Sequence, residues 1–359
     1  MIINYQQELD ELLLTVAQSN ASDLHLGVGK KPTLRIDGSL ISIEQKNILT
    51  PQDCEGLAFA LLTEEQKAKF LKEKELDLSY SYKDKARFRV NIFFQRGFIS
   101  VAMRLIPARI KTVEELNLPP VLHEFSQATQ GFVLIVGPSG HGKSTTMAAL
   151  IDEINHTRTD HIVTIEDPIE YLFIQDRAII NQREVGIDTN DFHNALRSVF
   201  REDPDVIMIG ELRDYETMSA AITAAETGHL VFASLHTNNA PQTIDRIIDS
   251  FPAAQQNQVR AQLSATLLGV VSQRLVPKIE GGRIPAVEVM LGCPAVSTLI
   301  REAKIHELNL VIETNSELGM VSLNRSLADL VKRREISMEN ALIYSLDPSE
   351  LRTRVRKQY

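Results

Sequence analysis

Four short apolar runs set the rhythm of the second half of this chain: residues 132–136, 161–165, 206–210 and 230–235, alternating with segments of helical composition. Runs of that length, apolar on both faces, are what buried parallel strands require, and the strand–helix alternation predicts an α/β sheet with parallel strands. Beyond Pro252 the pattern reads as mainly helical, through 255–275 and the segments after Pro294, with one strand at 284–291 between them. The first hundred residues follow other periods. Leu9, Leu12, Leu13 and Val16 recur at helical spacing, 23–26 and 34–40 read as strands, the second with an Asp37-Gly38 turn, and 51–74 reads as helical. Residues 76–82 and 86–94 alternate as antiparallel strands, and 98–106 pairs back across Gln95-Arg96-Gly97. The expectation is an α+β domain at 1–106, a linker at 107–120, and an α/β domain at 121–359 with a helical C-terminal region. Pro107, Pro119 and Pro120 bracket a short helical signal at 113–116 inside that linker.

Ligands of open α/β sheets bind at the carboxyl ends of the strands, and all four strands end there in polar chemistry. The first runs into Gly137-Pro138-Ser139-Gly140-His141-Gly142-Lys143-Ser144, the form Gly-x-x-x-x-Gly-Lys-Ser, with helix-forming residues after it. Glycines there allow positive φ and bring backbone N–H groups onto phosphate oxygens, while the following helix points its positive end at the same place. Gly137, Ser139, Gly140, His141, Gly142, Lys143, Ser144 and Thr145 are therefore the expected ATP contacts. Lys143 reaches the β and γ phosphates and Ser144 ligates Mg2+.

The third strand delivers Glu211, the expected general base for a water attacking the γ-phosphate; its plainer reading is an ion pair with Arg213. The second delivers Glu166 and Asp167, a further acidic site suited to polarising that water or, at Asp167, to holding hydrated Mg2+; the plainer reading of Asp167-Pro168 is a turn or helix cap. His229 and His236 flank the fourth strand, where either could meet a phosphate oxygen or report its loss to a neighbouring subunit. His25, His123, His156, His161, His193 and His306 receive no role. Arg87, Arg89, Arg96 and Arg104 crowd the hairpin of the first domain, as fingers acting in trans or as a solvated cationic sheet face. Arg352, Arg354, Arg356 and Lys357 read as a solvated tail.

Bulk properties narrow the class. A chain of 359 residues exceeds one ordinary domain, and 43% hydrophobic content is ample for two cores. A formal charge of −9 argues against a nonspecific nucleic-acid binder. Cys54 and Cys293, single and far apart, supply neither a disulfide framework nor a zinc quartet, which favours a reducing compartment such as the cytoplasm. Glu8, Asp10 and Glu11 make the first residues unlike a signal peptide, and no apolar run approaches the roughly 20 residues that span a bilayer.

Phe200-Arg201-Glu202-Asp203-Pro204-Asp205 through Gly210-Glu211-Leu212-Arg213-Asp214 resembles the signature of the secretion ATPases of the type II and type IV pilus systems. Ile165-Glu166-Asp167-Pro168-Ile169-Glu170-Tyr171 looks like that family's Asp box, and Gly228-His229-Leu230-Val231 through Leu235-His236-Thr237 like its His box. Ser22-Asp23-Leu24-His25-Leu26, Arg87-Phe88-Arg89-Val90-Asn91 and Leu299-Ile300-Arg301-Glu302 are similar to the branch of pilus retraction motors, and the likeness covers nearly the whole chain.

The resemblance implies a PAS-like N-terminal domain, a RecA-like P-loop ATPase domain, and a homohexamer with nucleotide between subunits. It implies docking on the inner-membrane pilus platform protein at the cytoplasmic face, and an ATP-hydrolysing motor that powers pilus retraction and twitching motility. On it Glu211 is the Walker B catalytic glutamate, Glu166 the Asp-box glutamate, and Arg89 and Arg104 match arginines that reach the nucleotide from the N-terminal domain. His141 stands where the family usually has Ser, Ser139 where it often has Thr, and Ala295-Val296-Ser297-Thr298 replaces Ala-Ile-Arg-Asn in a C-terminal motif tied to retraction. The longer N-terminal region and four-cysteine zinc module of the extension motors are missing, which favours the retraction branch. The main retraction motor and its accessory paralogue, or a weakly hydrolysing regulatory ring, are not separable on these residues; a RecA-like nucleic-acid translocase is the remote alternative.

Overall fold

The computed structural model describes residues 4–19, 21–36, 38–82, 86–106 and 109–356. Asp37 of the expected turn, Pro107 of the expected linker and Lys357 of the tail lie outside them. The chain forms two compact units, 1–109 with 170–172, and 110–169 with 173–359.

The first unit holds α1 (Tyr5–Gln18), β1 (Asp23–Leu26), β2 (Thr33–Ile36), β3 (Ser39–Ser42), α2 (Pro51–Phe59), α3 (Glu64–Glu73), β4 (Glu75–Tyr82), β5 (Ala86–Gln95) and β6 (Phe98–Ile106). Its sheet runs β3-β2-β1-β6-β5-β4, antiparallel throughout. Leu9, Leu12, Leu13 and Val16 are buried on one face of α1, as their spacing requires, against Leu24, Phe88, Val90 and Ile92 of the sheet's core. The helical stretch at 51–74 is in fact two helices. Thr63 and Gln66 form a capping box that starts α3 afresh, and Lys74 ends it in the left-handed region at φ 70°. β2 and β3 pair antiparallel, with Ile36 opposite Ser39. Arg96 and Gly97 turn β5 into β6 at φ 52° and 83°, the left-handed pair that matches strand twist.

The second unit holds α4 (His123–Gln127), β7 (Gly131–Val136), α5 (Lys143–Thr157), β8 (His161–Glu166), β9 (Ile179–Glu184), α6 (Phe192–Val199), β10 (Val206–Ile209), α7 (Tyr215–Glu226) and β11 (Leu230–Leu235). It continues with α8 (Ala240–Asp249), α9 (Ala253–Thr266), β12 (Leu267–Pro277), β13 (Arg283–Leu291), α10 (Pro294–Arg301), α11 (Leu308–Thr314), α12 (Leu323–Lys332), α13 (Met338–Tyr344) and α14 (Pro348–Arg356). The sheet order is β13-β12-β7-β11-β10-β8-β9, parallel except for the β12–β13 hairpin. All four runs expected as buried strands are strands. β7 and β11 are buried at every position, and the carboxyl ends of β7, β11, β10 and β8 lie side by side at one edge.

Three readings need correction. The helix expected over 255–275 stops at Thr266, and Leu267–Pro277 is β12, the neighbour of β7. Gly269 and the paired valines 270 and 271 carry strand chemistry there, and a Cβ on Gly269 would come within 2.5 Å of the Phe125 ring. β9 has no counterpart among the expected strands: it is an edge strand with exposed Ile179 and polar Asn181 to Arg183, so it shows no apolar run. Residues 113–116 make a turn and not a helix. A satellite core joins Val276, Ile284 and Ala286 of the β12–β13 hairpin to Leu323, Leu327 and Leu351 of the C-terminal helices. No helix among the described residues is long and apolar enough to cross a membrane.

Candidate active site

Strand β7 delivers the glycine loop to the sheet edge, and the loop's backbone explains its glycines. Gly137 sits at φ 144°, where a Cβ would lie 2.4 Å from the carbonyl oxygen of Gln273; Gly142 sits at φ 85° and begins α5 with no side-chain cap. Uncapped N–H groups at a helix start, beside a loop that excludes Cβ atoms, fit a phosphate chain. Lys143 is buried, and its Nζ donates to the carbonyls of Gly137 at 2.9 Å and Pro138 at 3.1 Å. Ser144 and Thr145 follow in the first turn of α5, partly exposed. Among the described residues no group of three His, Cys, Asp or Glu side chains could hold a metal. Mg2+ at this edge would be held through phosphate oxygens with Ser144, the usual manner of a cation that keeps most of its water.

From Lys143 a line of polar contacts crosses three strand ends. Lys143 Nζ is 3.2 Å from Nδ1 of His236, just beyond β11, and Nε2 of His236 is 3.2 Å from Oε1 of Glu211, just beyond β10. Arg213 donates to Glu211 Oε2 at 3.0 Å through Nε and to Asp167 Oδ2 at 3.0 Å through Nη1. Burial and then the Lys143 ammonium hold His236 below its ordinary pKa, so its neutral ring accepts at Nδ1 and donates from Nε2 to the carboxylate. Hydrogen bonding to Glu211 raises the Arg213 pKa further and keeps it cationic. Ser139 Oγ stands 3.4 Å from the same Nδ1. A cleft of about 550 Å³ opens beside this line, walled by Glu211, Arg213, His236, Gln242 and Asp245.

Glu166 is buried at the end of β8, where Thr164 Oγ1 donates to it at 2.7 Å and Gln182 Nε2 at 3.3 Å. A Cβ on Gly210 would stand 3.3 Å from the Cα of Glu166, so the glycine before Glu211 lets the two acidic strand ends approach. Glu211, Glu166, Asp167, His236 and the loop residues 137–145 thus share one edge. Asp167 is there as the ion-pair partner of Arg213, and the pairing of Glu211 with Arg213 is present as well.

His229 is not brought to this edge. It precedes β11, so the full strand, six residues at roughly 3.3 Å each, separates it from His236. Its Nδ1 lies 2.9 Å from the carbonyl of Ala224 and its ring meets Phe200 edge-on at 5.8 Å. Arg89 and Arg104 belong to the first unit, directly opposite each other on β5 and β6. There Arg104 Nε donates to Asp23 at 2.9 Å, and Arg89 Nη1 lies 3.4 Å from Glu170, itself part of that unit. Sequence reasoning missed Gln273 and Thr146, both buried against the loop; a glutamine between Val270-Val271 and Leu275-Val276 was the available signal.

The description "type II/IV secretion system protein" fits residues 4–337. The type IV pilus retraction ATPase PilT of Pseudomonas aeruginosa is 45% identical over 334 residues, 93% of this chain and 97% of that protein. The type IV pilus ATPase PilU of the same organism is 39% identical, over 97% of this chain and 91% of that protein. A crystal structure of the pilus retraction motor PilT with bound ADP superposes with a TM-score of 0.88 at 44% identity, covering 96% of this chain and 98% of that one. The chain belongs to the type II/IV secretion system protein family.

Proposed function

We propose that this chain is an ATP-hydrolysing motor that drives type IV pilus retraction and twitching motility. The observation that carries the chemistry is the line from Lys143 through His236 to Glu211, which ties the loop that holds phosphates to a carboxylate at the adjacent strand end. The name of the 45% identical PilT supports the biological role.

The loop amides of 137–145 bind and orient the phosphate chain, and Lys143 swings from its carbonyl partners to the β and γ oxygens. Ser144 would help hold Mg2+, which would supply neutralisation of charge on those oxygens. Glu211 takes the proton of the attacking water as its oxygen bonds to the γ-phosphorus and the bridge to the β-phosphate breaks, leaving ADP and phosphate. His236 then reports to Glu211 whether Lys143 is engaged with phosphate, because its Nδ1 acceptor and Nε2 donor serve the two residues at once. Glu166 holds the water from the β8 side, and Asp167 steadies Arg213 or the hydrated cation.

The first unit is read as a PAS-like domain and the second as a RecA-like ATPase domain with a helical C-terminal region. Six chains close into a ring in which Arg89 and Arg104 act on a neighbouring subunit's nucleotide. The ring works on the pilus platform protein at the cytoplasmic face of the inner membrane. Resemblance to the pilus retraction motors supports this arrangement. A second reading, an accessory retraction ATPase beside an active paralogue, is favoured by the 39% identity to PilU over nearly the whole chain.

Steady-state ATP hydrolysis by the purified oligomer, with Lys143→Ala beside wild type, tests the enzyme. Turnover lost in the variant supports the motor. Firm ATP binding with negligible wild-type turnover would overturn it in favour of the accessory reading.

A further inference from the structure

A loop rich in glycine loses much conformational freedom when it is fixed, and its N–H groups serve phosphate only if something holds the attached carbonyls the other way. Strand β12 sits directly behind the loop. Gln273 is 3% exposed; its Nε2 donates to the carbonyl of His141 at 2.9 Å, and its Oε1 accepts from Thr146 Oγ1, itself 1% exposed, at 2.7 Å. Two residues on, the Leu275 backbone N–H donates to Nδ1 of His141 at 2.9 Å. Alternation along a strand puts Gln273 and Leu275 side by side on the loop, while Arg274 between them turns to Asn238 Oδ1 at 3.0 Å. In a trans peptide C=O and N–H point in opposite directions, so fixing the His141 carbonyl also fixes the N–H of Gly142.

We propose that Gln273 and His141 are positioning residues, a strap that holds the phosphate loop against β12 with its amides turned outward. The inference rests on the nucleotide-binding reading of the loop and adds a role for two side chains that touch no phosphate. It also accounts for a histidine at position 141: the side chain is turned back to the strand as an acceptor. Lys143 of α5, Arg274 of β12, Arg283 of β13 and the Tyr344 ring of α13, 6.1 Å away, surround it. Burial and then the three cations hold the imidazole below its usual pKa, in the neutral form that can accept.

The test is the dissociation rate of a fluorescent mant-ADP from the full-length protein, in wild type, Gln273→Met, His141→Leu and His141→Asn. Losing one buried hydrogen bond to the loop should speed release about tenfold in the Met and Leu variants. Asn can place Oδ1 near the position of Nδ1 and accept from Leu275, so that variant should stay within about threefold of wild type. Equal release by wild type and His141→Leu would overturn the strap, as would equal acceleration by Asn and Leu. The histidine pair decides the question even where Gln273→Met does not fold. Hydrogen exchange of the Leu275 amide, slow in wild type and His141→Asn and fast in His141→Leu, tests the strap without nucleotide. Failure of wild type to bind mant-ADP would thus count against the ATP reading alone.

Discussion

The two ends of β11 carry the same residue type in different company. At the carboxyl end, His236 has Lys143 on one ring nitrogen and Glu211 on the other, and each partner ends or follows a different strand. At the amino end, His229 reaches back to the Ala224 carbonyl and Thr227 and packs on Phe200, all close in sequence or structural in kind. One ring links the lysine of the glycine loop to a carboxylate beyond the next strand, and the other fastens a turn. Residue type and adjacency to a strand are therefore weak evidence of a role; which edge of a parallel sheet the residue occupies decides far more.

Three experiments sharpen or break that contrast. The largest effect is expected at the far end of the His236 line. Glu211→Gln keeps the shape and the Arg213 contact but cannot take a proton, so kcat should fall by about 10² to 10⁴ while ATP binding persists. Activity near wild type in that variant would remove the base assignment. Next comes the pair of histidines. His236→Ala should lower turnover by about tenfold, because Glu211 loses the N–H donor that orients its carboxylate, whereas His229→Ala should leave turnover within about twofold. Equal losses in the two variants would break the contrast. The histidine also has a pH signature. Because its folded pKa lies below the ordinary 6.5, the neutral form persists through neutral pH, and activity should fall as the pH drops through that lowered value. In His236→Gln the acidic limb should shift or vanish.

Much of this edge was legible in the residue order, for a physical reason. Strands 132–136, 161–165, 206–210 and 230–235 are buried on both faces, so they must be apolar runs, and the polar residue that ends each one is pushed to the same edge by parallel pairing. The glycine loop was legible because its backbone tolerates no Cβ at 137. β12 was not, since Leu267-Leu268 continues the helical spacing of α9 and the strand is set by long-range pairing with β7 and β13. β9 was hidden by its edge position, and the strap on His141 by the long separation between 141 and 275. His229 and His236 look alike in sequence because both flank β11; only the direction of the strand, which puts them at opposite edges, tells them apart.

The smallest effect concerns how the wired end of β11 is anchored. After His236 the chain passes Asn238, whose carbonyl accepts from Ser272 Oγ at 2.9 Å, and enters α8 at Ala240, whose N–H donates to Glu288 at 2.7 Å. Glu288 is buried on β13, and desolvation pushes its pKa from the ordinary 4.5 up to about 7, despite that N–H and the nearby Arg274. A carboxyl whose folded pKa is raised binds more protons folded than unfolded. Its contribution is therefore fully present below 4.5 and is lost as the pH rises through about 7. The amino end of β11 is fastened by His229, for which backbone and hydroxyl partners supply no such acid. Wild type should accordingly lose a few degrees of Tm between pH 6 and 8 while Glu288→Gln, which still accepts from Ala240 but cannot ionise, stays nearly level over that range. A parallel slope in both proteins would mean that the anchoring of α8 does not titrate, and that the two ends of β11 differ only in their partners.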